Sequence, residues 1–177
     1  MGAWGFGVFE DDFTMDIKDE FETYIGEGVG TDQAVARLLR KFSEEINDED
    51  DSPLFYFALA SILMNRNELP ESIQQEALTH IVQKTNLRKW KESSFIEYFF
   101  RKLTLKSLKK QLEKTTVHSS NGSIDEADLL HPRFLPQNKK YSVYRLLDEK
   151  TGQPYYVGRT IHPELRSVYF QQNPLRK

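Results

Sequence analysis

The sequence contains no cysteine and few histidines. Without cysteine, the chain has neither a disulfide framework nor a thiolate metal site. The four histidines are far apart and match no metal-ligand spacing: His80, His118, His131 and His162. We therefore expect surface histidines, no metal site and no bound cofactor.

The sequence also lacks long hydrophobic runs. No segment approaches the roughly 18–20 apolar residues that span a membrane. The N-terminus does not have the basic region and apolar core of a secretory signal. These absences predict a soluble cytoplasmic protein without a membrane partner. Its 177 residues suffice for one domain, or for one domain with a small appendage.

Charge is distributed unevenly along the chain, although the net charge is only −3. Residues 1–51 contain fifteen acidic and four basic residues, whereas the remaining residues contain twelve acidic and twenty basic ones. Residues 84–114 are the most basic segment, with ten basic and three acidic residues. Such asymmetry indicates halves that neutralise each other, separate surfaces for different partners, or an unevenly charged solvated surface.

The chain opens with glycines that alternate with large apolar side chains: Gly2, Gly5 and Gly7 with Trp4, Phe6 and Phe9. Glycine permits backbone angles that other residues disfavour, and an aromatic side chain can bury ~150–250 Å². The pattern predicts a tight loop that packs Trp4 and Phe9 into a helical core.

Apolar residues then recur at helical spacing in five segments, with a short sixth turn around Trp90. The third helix is apolar nearly all round, which predicts a central, buried position. In the last helix, the pattern places Ile96, Phe99, Phe100 and Leu103 on the inner face, and after a slip in the period the stripe continues with Leu105, Leu108 and Leu112. The expected helix starts are Asp11 or Asp12, Thr31, Ser52-Pro53, Pro70, and Ser93 or Ser94.

The first helix carries four carboxylates within one and a half turns: Asp12, Asp16, Asp19 and Glu20. Paired carboxylates can bind a cation or act as acid and base. Helix capping and solvation explain these residues more simply, because acidic groups are favoured near a helix N-terminus.

A second acidic run follows the second helix and is expected to form a surface loop. It is either an ordinary solvated loop or a surface that docks a basic partner, since complementary charge speeds association. The candidate partner-binding residues are Glu44, Glu45, Asp48, Glu49, Asp50 and Asp51.

The composition changes after residue 114. Residues 115–140 are rich in turn-forming residues and are expected to form a linker. Residues 141–147 and 154–159 are typical of strands and flank a turn-rich connector, which predicts a hairpin. We therefore expect a mainly α protein. A multi-helix bundle or array at 1–114 is sealed by the N-terminal loop, and a β-hairpin appendage follows at 141–177.

The opening residues carry a resemblance to a known family. The segment from Trp4 to Asp12, followed by Asp16 and by Asp19-Glu-Phe21, resembles a bacterial family of unknown function with an MGAWGxGxFExD start. The likeness continues to about residue 92. It implies a small helical domain with no established activity, and some small bacterial proteins of this kind are suspected partners of toxins.

The hairpin carries a second resemblance. Ser142-Val-Tyr144, eleven residues and Tyr156-Val-Gly158 resemble the GIY-YIG nuclease signature. The resemblance, over residues 141–166, implies that Tyr144, Tyr156 and Arg166 lie around a phosphate, with Arg159 as a further contact. In that family a later glutamate holds the metal, but the eleven residues after Arg166 contain no acidic residue. We therefore expect no nuclease activity, because cleavage would lack its metal electrophile.

These observations give two hypotheses for function. The first is a non-catalytic protein–protein interaction module of the immunity type, which neutralises a toxin through a protein partner such as a basic toxin domain. The alternative is a nucleic-acid-associated protein that carries a degenerate or truncated GIY-YIG hairpin.

Overall fold

The computed structural model describes residues 4–84, 86–87, 90, 95–117, 141–148 and 150–172. These residues form helices and one two-stranded sheet, which confirms a mainly α fold with a C-terminal hairpin. The expected linker lies almost entirely outside the described residues. The elements are α1 Asp12–Gly26, α2 Thr31–Lys41, α3 Ser43–Ile46, α4 Ser52–Asn65, α5 Glu71–Gln83, α6 Phe95–Leu112, β1 Ser142–Leu147, β2 Pro154–Thr160 and α7 Pro163–Gln172.

Helix α4 lies at the centre of the core, as its sequence predicts. Phe55, Phe57, Leu59 and Leu63 on this helix are fully buried. Helix α1, which precedes α4 in the sequence, and helix α5, which follows it, both pack against α4. Pro53 stands in the first turn of α4, where its missing N–H leaves no internal hydrogen bond unmade.

Helix α1 begins at a buried cap, whereas α2 begins differently from the prediction. The carboxylate of Asp11 accepts hydrogen bonds from the N–H groups of Phe13 (2.9 Å) and Thr14 (3.4 Å). Burial raises the pKa of Asp11 to about 6. Gly30, and not Thr31, is the N-cap of α2. The Thr31 hydroxyl instead donates to Glu68 Oε2 at 2.9 Å.

Helix α6 buries the second half of the predicted stripe but not the first half. Its buried residues are Arg101, Leu105, Leu108 and Leu112, so the three leucines are confirmed. The residues of the first half are exposed by between 46 and 64 per cent: Ile96, Phe99, Phe100 and Leu103. The buried set repeats at steps of three and four residues, so an arginine completes the leucine stripe.

The N-terminal loop is held by polar contacts. The guanidinium of Arg101 donates from Nη1 to the carbonyl oxygens of Phe6 (3.2 Å) and Gly7 (2.9 Å). The Gly7 N–H donates to Glu10 Oε2 at 2.7 Å. A Cβ atom on Gly5 would lie 2.2 Å from the same oxygen. Glycine at position 5 therefore makes room for the side chain that closes the loop.

Trp4 does not fill the helical core, so the prediction that it plugs this core is wrong. Its ring centroid lies 6.0 Å from that of Tyr156, 6.0 Å from that of Tyr169 and 5.3 Å from that of Phe170. Phe9 does pack against the core, as predicted, although it is only partly buried. The loop thus connects the helical core with the C-terminal segment.

The hairpin packs against α1 through its polar face. In the antiparallel register, Tyr144 pairs with Gly158 and Leu146 pairs with Tyr156. Val143 and Val157 lie on the opposite face of the hairpin and are 74 and 59 per cent exposed. The hairpin therefore gains stability from hydrogen bonds and ion pairs to α1, since an isolated two-stranded hairpin is marginal.

Candidate functional site

The site lies between α1 and the C-terminal hairpin. One side of it is the face of α1 that we call the acidic face: Asp12, Asp16, Asp19 and Glu20. Steps of three and four residues place these side chains on one side of a helix. Asp12, Asp16 and Glu20 are 0, 2 and 5 per cent exposed. The prediction that the group serves in capping and solvation is therefore wrong, because Asp11 alone caps the helix.

Asp12 accepts hydrogen bonds from both strands of the hairpin. Its carboxylate accepts from the Tyr144 hydroxyl and, at 2.8 Å, from the Tyr156 hydroxyl. The Arg159 N–H adds a third bond at 3.0 Å. Burial and the bond to Asp12 raise the pKa of both tyrosines. The two hydroxyls are thus fixed as donors.

Gly158 permits this close approach. A Cβ atom at this position would lie 2.3 Å from Asp12 Oδ2 and 2.5 Å from the Tyr144 hydroxyl oxygen. Its buried position therefore has no room for a side chain. The glycine acts through the space that it leaves and not through backbone freedom.

Asp16 binds the end of β2 and the start of α7. It accepts from the Thr160 hydroxyl, from the Ile161 N–H at 3.1 Å and from Arg166 Nη2 at 2.7 Å. Burial raises the pKa of Asp16, and this effect outweighs the bonds from Thr160, Ile161 and Arg166. The carboxylate is therefore costly to ionise unless the hairpin is docked.

Arg166 is almost fully buried among carboxylates. It is 1 per cent exposed, and its Nη2 lies 3.5 Å from Asp19 Oδ2 while its Nε lies 3.8 Å from Asp12 Oδ1. Within the described residues, neither Nε nor Nη1 has a hydrogen-bond acceptor, and Asp19 Oδ2 has no donor. The acidic face therefore satisfies the charge of Arg166 but not all of its N–H groups.

Glu20 joins α2 to the segment after the hairpin. Lys41 Nζ lies 2.6 Å from Glu20 Oε1, and His162 Nε2 lies 3.0 Å from Glu20 Oε2. Burial alone would raise the pKa of Glu20, but the bonds from His162 and Lys41 lower it to about 2. The same bond to Glu20 raises the pKa of His162.

We expect His162 to make the stability of the protein depend on pH. Because its folded-state pKa is raised, its contribution is complete below the unfolded value of about 6.5 and is lost as pH rises through the folded value. Glu20 does not interfere, since its contribution falls only as pH drops from about 4.5 towards about 2. Asp16 and Asp19 also face this region, and burial raises the pKa of both. Both carboxyl groups are present in wild type and in the His162 variant that is compared with it below.

The test compares wild type with His162→Gln by urea denaturation at about pH 6 and about pH 8.5. Wild type should lose roughly 0.5–1 kcal/mol more than the variant between these pH values, the range of a partly exposed ion pair. Wild type must be compared with the variant because His80 changes stability with pH in the opposite direction in both proteins, since burial lowers its pKa. Equal pH dependence in both proteins would contradict the prediction.

The structure brings together three of the four predicted phosphate-contact residues. Tyr144, Tyr156 and Arg166 converge on Asp12 and Asp16. The fourth, Arg159, contributes its backbone N–H, while its guanidinium lies 4.2 Å from the centroid of the Tyr141 ring.

The predicted acidic surface at residues 44–51 is only partly a surface loop. Helix α3 overlaps its start, and Glu45 is buried and accepts a hydrogen bond from the Tyr141 hydroxyl at 2.7 Å. Asp48 accepts from the N–H groups of Asp50 (2.9 Å) and Asp51 (3.1 Å), which closes a local turn. Glu44 and Glu49 are exposed.

The acidic face of α1 is the site that sequence reasoning did not identify. Its signal was present in the helical spacing of the four carboxylates and in the concentration of hydroxyl and guanidinium donors in the hairpin. Within the described part of the chain, no group of histidine and acidic residues is arranged to hold a metal ion. None of the helices described is sufficiently long and apolar to cross a membrane.

The chain was compared with models of protein families, with curated proteins and with solved structures, and none of the three comparisons finds a match.

Proposed function

We propose that this chain is a non-catalytic protein–protein interaction module of the toxin-neutralising type, in which the acidic face of α1 covers the donor groups of a phosphate-binding hairpin. One observation carries the proposal. Asp12 and Asp16 together accept six hydrogen bonds from the hairpin and the residues that follow it. In this form of neutralisation, the carboxylates of Asp12 and Asp16 occupy the anion-binding site of the hairpin.

The chemistry of the donors supports this proposal. Arginine and hydroxyl groups bind carboxylate and phosphate oxygens through the same charge-assisted hydrogen bonds. The resemblance of the hairpin to GIY-YIG nucleases implies that Tyr144, Tyr156 and Arg166 surround a phosphate. In this chain, the carboxylates of Asp12 and Asp16 are bound by these three side chains. They stand in for the oxygens of that phosphate.

The same contacts argue against a catalytic hairpin. A tyrosine that acts on a phosphodiester needs a hydroxyl that reaches the substrate, yet both hydroxyls donate to Asp12. The raised pKa of each tyrosine also opposes formation of a phenolate base. With α1 in place, the hairpin has no route to a phosphodiester.

One observation favours the nucleic-acid hypothesis as the second candidate. Two buried nitrogens of Arg166, Nε and Nη1, have no acceptor for their N–H groups among the described residues. An uncovered Arg166 would offer these groups, with the two tyrosine hydroxyls, to a phosphodiester. The two candidates therefore differ in whether the hairpin of the wild-type protein is available to nucleic acid.

The test measures anisotropy of a fluorescein-labelled single-stranded oligonucleotide of about 20 nucleotides in about 50 mM salt. Wild type should not bind. Asp12→Asn/Asp16→Asn removes the negative charges that hold the hairpin and should bind at micromolar concentration, with affinity falling as salt rises. Adding Arg166→Ala should abolish this binding.

A matched control separates uncovering from a general change in charge. Asp32→Asn/Glu44→Gln removes two negative charges from exposed positions on α2 and α3 and should behave like wild type. If wild type binds as tightly as Asp12→Asn/Asp16→Asn, the hairpin is not covered and the nucleic-acid hypothesis is favoured. If neither protein binds, the donor groups do not form a phosphate-binding site.

A further inference from the structure

We infer that the outward face of α6 binds the surface of an anionic lipid membrane, with its apolar side chains among the acyl chains and its lysines at the phosphates. The first half of this face is apolar, and we call it the α6 patch: Phe95, Ile96, Phe99, Phe100 and Leu103. The second half is cationic: Lys102, Lys106 and Lys110. The inference goes beyond the proposed function and uses no residue of the acidic face or of the hairpin.

The α6 patch is exposed on a helix whose opposite face is buried. Its five side chains are exposed by between 46 and 81 per cent. Leu103 lies two residues from buried Arg101 and two from buried Leu105, and a step of two residues crosses to the other side of a helix. The patch therefore points away from α4 and α5, against which α6 packs. A contiguous group of exposed apolar side chains marks a binding surface.

The folded core holds the α6 patch in a fixed position. The ring of Phe100 stacks on that of Phe6 at a centroid distance of 5.3 Å, and Phe6 in turn lies 5.8 Å from Trp90. The guanidinium of Arg101 lies 5.7 Å from the centroid of the Trp90 ring and donates to the carbonyl oxygen of Phe6. These contacts add partly exposed Phe6 and Trp90 to the patch. Aromatic side chains are favoured at the boundary between acyl chains and head groups.

The lysines indicate the charge of the partner. Steps of three and four residues lead from Leu103 to Lys106 and then to Lys110, so these two exposed side chains lie on the same side of α6 as the patch. Helix α6 contains five basic residues and a single acidic one, Glu97. Each lysine close to an anionic membrane surface strengthens binding roughly fivefold. The face is therefore complementary to a surface that is both negatively charged and apolar.

An anionic lipid surface matches both halves of this face. A second copy of the chain would bring its own lysines towards these when the patches meet, and like charges oppose such a contact. Nucleic acid offers phosphates to the lysines, but its bases stack on aromatic side chains and not on Ile96 or Leu103. A membrane places acyl chains directly beneath a layer of phosphates, and an apolar helix face beside lysines is typical of helices that lie in this layer.

Binding of this kind takes place at the membrane surface. It does not require a segment that spans the membrane. The lack of long apolar runs, from which we expected no membrane partner, therefore does not bear on it.

Vesicle sedimentation tests the inference with the full-length protein. The vesicles contain phosphatidylcholine with about 30 per cent phosphatidylglycerol, or phosphatidylcholine alone, in about 100 mM salt. Wild type should bind the anionic vesicles at least about tenfold more tightly than the neutral ones. Phe95→Gln/Phe99→Gln removes apolar surface from exposed positions and should weaken binding to anionic vesicles at least about tenfold. Lys106→Gln/Lys110→Gln should weaken it by a similar factor.

Each of these variants has a matched control. Leu165→Gln/Val168→Gln removes two exposed apolar side chains from another helix, α7. Arg145→Gln/Lys150→Gln removes two exposed positive charges from the hairpin and its connector. Both controls should bind anionic vesicles like wild type, and all four variants should keep the circular dichroism spectrum of the folded protein.

Three results would overturn the inference. They are a wild-type protein that does not bind anionic vesicles, equal binding to both kinds of vesicle, and a control that weakens binding as much as its α6 counterpart. If vesicle binding is absent and sedimentation equilibrium shows a dimer that Phe95→Gln/Phe99→Gln dissociates, the patch belongs to an interface between copies. None of these results affects the oligonucleotide experiment, because every variant leaves the acidic face unchanged.

Discussion

Replacing Gly158 with alanine is expected to detach the hairpin from α1 while the helical core stays folded. The added Cβ would lie 2.3 Å from Asp12 Oδ2 and 2.5 Å from the Tyr144 ring and hydroxyl. These two groups are hydrogen-bonded to each other, so neither can move without loss of the contact. Overpacking of this kind costs ~1–3 kcal/mol.

Hydrogen exchange measures the detachment at the backbone groups bound to the acidic face. The N–H groups of Arg159 and Ile161 should exchange at least about tenfold faster in Gly158→Ala, because each ~1.4 kcal/mol is a factor of ten in the opening equilibrium. Gly26→Ala is the control, since a Cβ there would have no atom within 4 Å. Unchanged protection in Gly158→Ala would show that the hairpin accommodates the methyl group.

Replacing Arg101 with alanine is expected to destabilise the helical core itself by roughly 3–5 kcal/mol, the cost of breaking a buried charge network. Arg101 is 2 per cent exposed and donates to two loop carbonyls and, from Nε, to Asn86 Oδ1 at 2.8 Å. Although burial lowers its pKa to about 10, the guanidinium remains charged at neutral pH. Its removal leaves three acceptors, the carbonyl oxygens of Phe6 and Gly7 and Asn86 Oδ1, without this donor, and takes away a positive charge that lowers the pKa of buried Asp11.

Urea denaturation followed by circular dichroism measures this loss. Arg101→Lys keeps the charge but not the planar fork and should recover only part of the stability. Lys102→Ala, at an exposed position next in the chain, should change the free energy of unfolding by less than about 0.5 kcal/mol. Stability of Arg101→Ala equal to that of Lys102→Ala would mean that the N-terminal loop does not depend on this contact.

Most of the local structure could be predicted from the sequence because its causes are local. Asp11 as a helix cap, Pro53 in the first turn of α4 and the 3.6-residue apolar period depend on residues within one or two turns. The hairpin followed equally from two apolar strand patterns around a turn-rich connector.

The errors concern which face of an element is buried. In α6 the leucines of the predicted stripe are buried beside Arg101, which reaches the N-terminal loop, whereas the first half of the stripe is 46 to 64 per cent exposed. Trp4 looked like a core residue, but its nearest aromatic rings belong to the C-terminal segment. Periodicity identifies candidate faces, and the packing partners decide between them.

The sequence by itself determined most of the secondary structure, the central position of α4 and the donor groups of the hairpin. The tertiary structure decided that the carboxylates of α1 are the acceptors of those donors, across separations of 132 residues for Tyr144 and 150 for Arg166. A carboxylate on a helix has the same local preferences whether water or a guanidinium binds it. Tertiary packing decides which donor binds the carboxylate, because packing removes the water and a buried donor then needs a protein acceptor.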